Sequence, residues 1–109
     1  MRVLVCGSRS WEDRAKVEPT LKTLWDAGYR TLAHGAARGA DTVSGEIGTK
    51  LGYAVVEYPA NWKKYGVSAG PIRNAEVLAD FQPDAVVAFR MHGKSNGTDH
   101  MVRIALKAR

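Results

Sequence analysis

Short runs of apolar, β-branched residues alternate along this chain with longer stretches in which apolar positions recur every three or four residues. The runs are RVLVC (2–6), TLAH (31–34), AVVEY (54–58) and AVVAF (85–89). The valine-rich pair AVVEY and AVVAF shows little polar alternation, the pattern of strands covered on both faces. Between them, Val17, Leu21, Leu24 and Trp25 share one helical face, with a stop at Gly28. Pro19 inside that stretch predicts a bend there or a true start near Glu18. Ala40, Val43, Ile47 and Leu51 form a second stripe that stops at Gly52. A third helix, PIRNAEVLADF, opens on Pro71 and halts before Pro83, and a fourth spans Thr98 to Ala108. Strand and helix in regular alternation predict an α/β fold with right-handed crossovers. The expected architecture is a small Rossmann-like three-layer sandwich around a mostly parallel sheet of at least four strands. Whether a further edge strand joins them stays open. No linker, repeat or low-complexity tract interrupts the pattern, so residues 1–109 read as a single domain.

Composition narrows this little. The chain has 109 residues, 45% of them hydrophobic and 25% charged, which suits one hydrophobic core. No apolar run reaches the roughly 18 residues of a membrane span, and MRVLVCGSRS is too short in its apolar part for a signal peptide. Cys6 is the single cysteine, which excludes an internal disulfide framework and suits a reducing compartment. The expectation is a soluble, cytoplasmic protein with no membrane partner. The net charge of +5 favours anionic partners, nucleotide phosphates or nucleic acid. These charges are scattered, densest in NWKKYG and in the tail VRIALKAR. There Arg103, Lys107 and Arg109 suit the negative end of a terminal helix.

Ligands in such a sheet bind beyond the carboxyl ends of the strands. The segments that follow the four runs are GSRS, GAARGAD, PANWKKYGVSAGPIRN and MHGKSNGTD. Each carries a cation, and glycine recurs among them, which lets backbone approach an anion. CGSRS lacks the spacing of a dinucleotide fingerprint, and its plain reading is a turn capped by Ser10 with Asp13 completing a capping box. HGKSNGT contains Gly-Lys-Ser, but a P-loop needs glycine where Ala88 stands. In AHGAARGADT the small residues suit either a tight strand-to-helix turn or a backbone lying against a ligand. Asp41 serves there as helix N-cap and as a group facing a ribose or a phosphate-bound cation. Gly70 and Pro71 start a helix whose first turn holds Arg73 and Asn74. The macrodipole disfavours a cation there, which points to an anion for Arg73 to meet. The long connection from Pro59 to Gly70 predicts a binding wall. Its Trp62 and Tyr65 either stack on a base or cover the sheet edge or a partner subunit. Cys6, Trp11 and Trp25 read as packing residues. His34, His92 and His100 lack metal-ligand spacing, so no metal site is expected.

The stretches VLVCGSRSW, HGAARGAD, AGPIRNAEVLA, PDAVVAF and NGTDHMVRIA occur in that order and together resemble the YspA/YpsA-related branch of the SLOG superfamily. This superfamily of Rossmann-like domains also takes in the cytokinin-activating nucleotide hydrolases called lysine decarboxylase-like, and the DNA-processing protein DprA. The resemblance runs from Arg2 to Lys107. It implies a bacterial or phage protein with a pocket for a nucleotide or nucleotide-derived ligand, a nucleoside phosphate or ADP-ribose-like molecule, and no required cofactor. By position the pocket comprises Gly7, Ser8, Arg9, Gly35, Arg38, Gly39, Asp41, Gly70, Arg73 and Asn74, closed by Gly97 and Thr98. The hydrolase branch carries an arginine in a segment like RNAEVLAD, which Arg73 and Glu76 fit, and a P-G-G-x-G-T-x-x-E motif. Against that motif KSNGTDHM keeps Gly97 and Thr98, replaces the paired glycines by Ser95 and Asn96, and puts Met101 where the catalytic glutamate belongs. A thioether neither stabilises an oxocarbenium-like transition state nor activates water. Binding or sensing therefore ranks first. A nucleotide N-glycosidase using Arg73 with Glu76 or Asp99 ranks second, and nucleic-acid binding third. A homodimer is expected from related folds.

Overall fold

The structure, a computed structural model, describes residues 1–91 and 96–108. Strand β1 (Arg2–Gly7) lies inside the sheet, with Val3, Leu4 and Val5 almost wholly buried. The chain continues through α1 (Arg14–Asp26), β2 (Thr31–His34), α2 (Ala40–Leu51) and β3 (Ala54–Glu57). A short α3 (Trp62–Tyr65) and a 3₁₀ turn (Gly66–Ser68) lead into α4 (Ala69–Phe81), β4 (Ala85–Phe89) and α5 (Asn96–Ala108). Four parallel strands form the order β3-β2-β1-β4, with Val3 beside Leu32 on one side and Ala85 on the other.

This order fixes the layers. From β1 to β3 the chain moves steadily one way, and right-handed crossovers put α1 and α2 on one face. It then crosses back to the far side of β1, which puts α4 on the opposite face, joined there by α5. The two cores follow. Val17, Leu21, Ala40, Ile47 and Tyr53 pack on Val3, Val5 and Leu32, while Val77, Phe81 and Met101 pack on Leu4 and Ala33. The strand order reverses at β1, and the crevice beyond its carboxyl end is where such sheets bind ligands. Among the described residues no helix is long and apolar enough to cross a membrane.

Several boundaries differ from those the sequence predicts. α1 begins at Arg14 with Pro19 inside it, because buried Val17 and Leu21 anchor the helix on both sides of the proline. The hydrogen bond lost at Pro19 leaves only the exposed Ala15 carbonyl to solvent. Ser10 does not cap this helix. Asp13 occupies the cap position without a side-chain bond, and Ser10 Oγ donates to Met91 Sδ at 3.1 Å. α4 starts at Ala69 rather than Pro71, since the missing proline N–H is harmless anywhere in a first turn. α5 begins at Asn96, ahead of Thr98. Gly52 ends α2 in the left-handed conformation, as its position predicts. His92, Lys94, Ser95 and Arg109 lie outside the described residues.

Candidate functional site

Ser8 ties the β1–α1 loop to its neighbours. It donates its N–H to the Phe89 carbonyl at 2.9 Å and accepts the Met91 N–H on Oγ at 2.9 Å. Its own carbonyl accepts from Trp11 and Ala40, each at 3.1 Å. Strand β4 and helix α2 are thus knotted to β1 at its carboxyl end. Nothing larger than glycine fits beside this knot. A Cβ on Gly7 would stand 2.4 Å from both Ala40 Cβ and the Phe89 carbonyl oxygen. Gly39, at φ +77°, would bring a Cβ 2.4 Å from the Ser8 and Arg9 carbonyl oxygens. Within GAARGAD, Gly39 is required by one loop interlocking with another, whatever the cleft holds.

The β2–α2 loop winds around two buried side chains. Gly35 and Ala37 donate their N–H groups to Asp41 Oδ2 at 3.0 and 3.2 Å, and Ala36, at φ +57°, donates to His34 Nδ1 at 2.9 Å. Asp41 is therefore not the N-cap, a position held by Gly39; from within α2 its carboxylate turns back to hold the preceding loop. Burial pushes the Asp41 pKa up, opposed chiefly by the Ala37 amide and by His34 and Arg73. Burial also pushes His34 down, against the charges of Asp41 and Glu57. The neighbouring Cys6 thiol is driven up to about 12, mainly by burial and then by Asp41, so it is a protonated wall residue and no nucleophile.

Arg73 joins these loops to the other face of the sheet. It lies a full turn beyond the start of α4 and so outside the region where the helix dipole repels a cation. Nη1 donates to the Gly35 carbonyl at 2.7 Å and the Tyr58 carbonyl at 3.0 Å, while Nε donates to Asn74 Oδ1 at 2.9 Å. Asn74 passes the link on, its Nδ2 donating to the Gly97 carbonyl at 3.2 Å and lying 3.1 Å from His100 Nδ1. The arginine expected to await an anion is thus engaged with backbone carbonyls. Only Nη2 is left without an acceptor among the described residues.

Above this scaffold opens a cleft of about 940 Å³. Gly7, Ser8, Arg9, Arg38, Gly39, Asp41, Gly70, Arg73, Asn74, Gly97 and Thr98 all line it. Gly35 does not, because the Arg73 guanidinium covers it; a Cβ there would meet Nη1 at 2.0 Å. Arg9, Arg38 and Arg73 outnumber its carboxylates, Glu12 and Asp41. Of the residues considered for hydrolysis, Arg73 lines the cleft and the two carboxylates do not. Glu76 is exposed elsewhere on α4, and Asp99 pairs with Arg90 at 2.7 Å beside a separate groove with Val102 and Leu106. That pairing holds Asp99 below the usual carboxylate range. Met101 is buried in the core.

Sequence reading missed Glu12, Thr42, Val67, Met91 and His100 as lining residues, and treated Trp11 as packing alone. Trp11 does pack on Phe89, centroids 5.6 Å apart, while also facing the cleft. Adjacency to the glycine-rich segments was the available signal for Glu12, Thr42 and Met91. Val67, 92% exposed yet facing the cleft, had none. Tyr65 lies outside the lining, with Lys64 Nζ 5.0 Å from its ring centroid. No group of three or more metal-ligating side chains occurs among the described residues.

Comparison with known proteins matches residues 1–65 to YAcAr, the YspA, cpYpsA-related SLOG family. The Gene 61 protein of Mycobacterium phage D29 is 36% identical over 121 residues, an alignment covering 98% of this chain and 90% of that protein. No solved structure matches the chain.

Proposed function

The chain belongs to the YspA/cpYpsA-related SLOG family, and from that premise we propose that its cleft binds a nucleotide or nucleotide-derived ligand and holds it without cleaving it. Family membership points to a nucleotide-related role. The observation that carries the finer reading is the make-up of the cleft: cationic side chains and a helix start converge there, while Met101, Glu76 and Asp99 all lie away from it.

Each wall has a task in this reading. Exposed Arg9 and Arg38 meet phosphate charge directly. The first turn of α5, with Gly97 and buried Thr98, offers backbone N–H groups to an anion. Gly97 has open space where a Cβ would stand, unlike Gly7 and Gly39, so its lack of a side chain is not imposed by packing among the described residues. Arg73 and Asn74 position the loops rather than react. Asp41 is a poor base, since its Oδ2 already accepts two amide N–H groups.

The test is a thermal-shift screen with nucleoside mono- and diphosphates and ADP-ribose on wild type and Arg38→Ala, the same samples then being chromatographed for free base. Stabilisation of wild type that is weakened in Arg38→Ala, with ligand intact, is the expected result. Released base overturns the non-hydrolytic part of the reading. A uniform lack of stabilisation overturns the nucleotide reading itself.

A further inference from the structure

We infer that the outer wall of the cleft is a stacking platform for a nucleobase, and that Trp62 is the ring on which the base lies. This rests on the nucleotide reading above and specifies which part of the ligand goes where.

The connection from Trp62 to Ser68 is exposed throughout, yet two of its apolar side chains face the cleft instead of the sheet. Trp62 is 48% exposed and Val67 92%. Single exposed apolar residues are ordinary. Here two of them stand on one wall of a cleft that also holds Arg9, Arg38 and Arg73.

The indole is also held in place. Asn61 Oδ1 accepts the Lys64 N–H at 3.1 Å and so caps α3, the helix that presents Trp62. The tip of the ring lies against Gly70, where a Cβ would come 3.4 Å from Cη2.

A comparison within the chain shows how loosely the ring face is covered. Arg30 covers Trp25 with its guanidinium carbon 3.9 Å from the ring centroid, anchored by bonds to the Trp25 and Tyr29 carbonyls. Arg9 lies over the Trp62 ring at a looser 5.4 Å from its centroid. An indole 48% exposed on the wall of a cleft, with a cation over its ring and further arginines inside, suits a flat heteroaromatic ring joined to a phosphate. The base takes the outer wall, and the sugar and phosphate extend inward toward Arg38 and Gly97.

Titration calorimetry of wild type, Trp62→Phe and Trp62→Ala tests this, with the four nucleoside 5′-monophosphates and with ribose 5-phosphate as the base-free probe. Trp62→Ala is expected to weaken the tightest monophosphate about 5- to 150-fold, the usual range for losing one stacked base. Trp62→Phe should stay within about threefold of wild type because an aromatic face remains. Ribose 5-phosphate should bind more weakly than the monophosphate and be indifferent to Trp62→Ala. Equal loss of both ligands in Trp62→Ala assigns the tryptophan a structural role and overturns the proposal. Unchanged monophosphate affinity overturns it too and gives the exposed indole to a protein contact, such as a second copy of the chain. Ribose 5-phosphate binding as tightly as the monophosphate keeps the anion site and rejects the stacking. If wild type binds none of the compounds, the nucleotide reading falls and takes this one with it.

Discussion

Arg73 does in this molecule what a short disulfide or metal does in others: it ties distant loops to one point. Its planar fork reaches carbonyls after β2 and β3 and the amide of Asn74, which in turn holds the start of α5. Arg73→Ala would strand the Gly35 and Tyr58 carbonyls, and its expected cost is about 2–3 kcal/mol in a urea titration. Arg73→Lys should recover little of this, because an ammonium cannot reproduce the fork. His34 gives the same loop a dependence on pH. Its Nδ1 accepts from Ala36, so the ring is neutral with its proton on Nε2, and burial keeps its pKa below the ordinary 6.5. The unfolded chain takes up this proton first as pH falls. The stability that depends on neutral His34 is therefore lost from about 6.5 down to the lower native value. Asp41 runs the other way. Its native pKa lies above the ordinary 3.8, so the folded chain takes up that proton first and acid offsets part of the loss. In an NMR titration the His34 ring and the Ala36 amide should move together with a midpoint below 6.5. A midpoint at or above it, or an Ala36 amide that does not respond, would contradict the arrangement.

At the scale of elements, the two glycine-rich loops act as one body. Gly39→Ala would force a left-handed alanine against backbone oxygens 2.4 Å away, and should cost at least about 2 kcal/mol. Gly97→Ala meets open space and should stay within about 0.5 kcal/mol of wild type in thermal or urea melts, while lowering ligand affinity. The contrast separates a glycine needed by the fold from one needed by what the fold binds. Much of this was legible beforehand. Apolar runs and helical periodicity found the strands and the main helices among the described residues. The valine-rich β3 and β4, however, are edge strands, largely exposed or half-buried, and not strands covered on both faces. Helix starts were less legible: Ser10 and Pro71 carry local capping signals that buried Val17 and Ala69 overrode. The site residues were found largely by their place after strands. Their roles were not, because a composition of glycine, arginine and aspartate suits interlocked loops as well as a bound phosphate.

For the molecule as a whole, the carboxylates considered for catalysis belong to the outer surface. Asp99→Asn removes an exposed pairing with Arg90, and Glu76→Gln an exposed carboxylate. Each should leave the melting transition close to that of wild type and ligand affinity at its wild-type value. A tenfold loss of affinity in either, measured by calorimetry, would move the site away from the cleft described here. The resemblance spans nearly the whole chain and covers segments that line the cleft. The distance of Met101 from the cleft depends on α5 packing against Leu4 and Ala33, a tertiary fact that no motif carries.

The knot at Ser8 also sets an order of events in time. Strand β1 can pair with β2 early, since only α1 separates them. Its other partner, β4, joins only after α4 has travelled back across the opposite face, closing a loop between Val3 and Ala85. Such late, long-range closure is the slow part of folding an α/β chain. Until it happens, Ser8 has neither the Phe89 carbonyl nor the Met91 N–H to hold, and the inner wall of the cleft does not exist. A ligand therefore meets its site only after the last docking step. In a chevron experiment, saturating ligand should slow unfolding and leave the folding arm where it was.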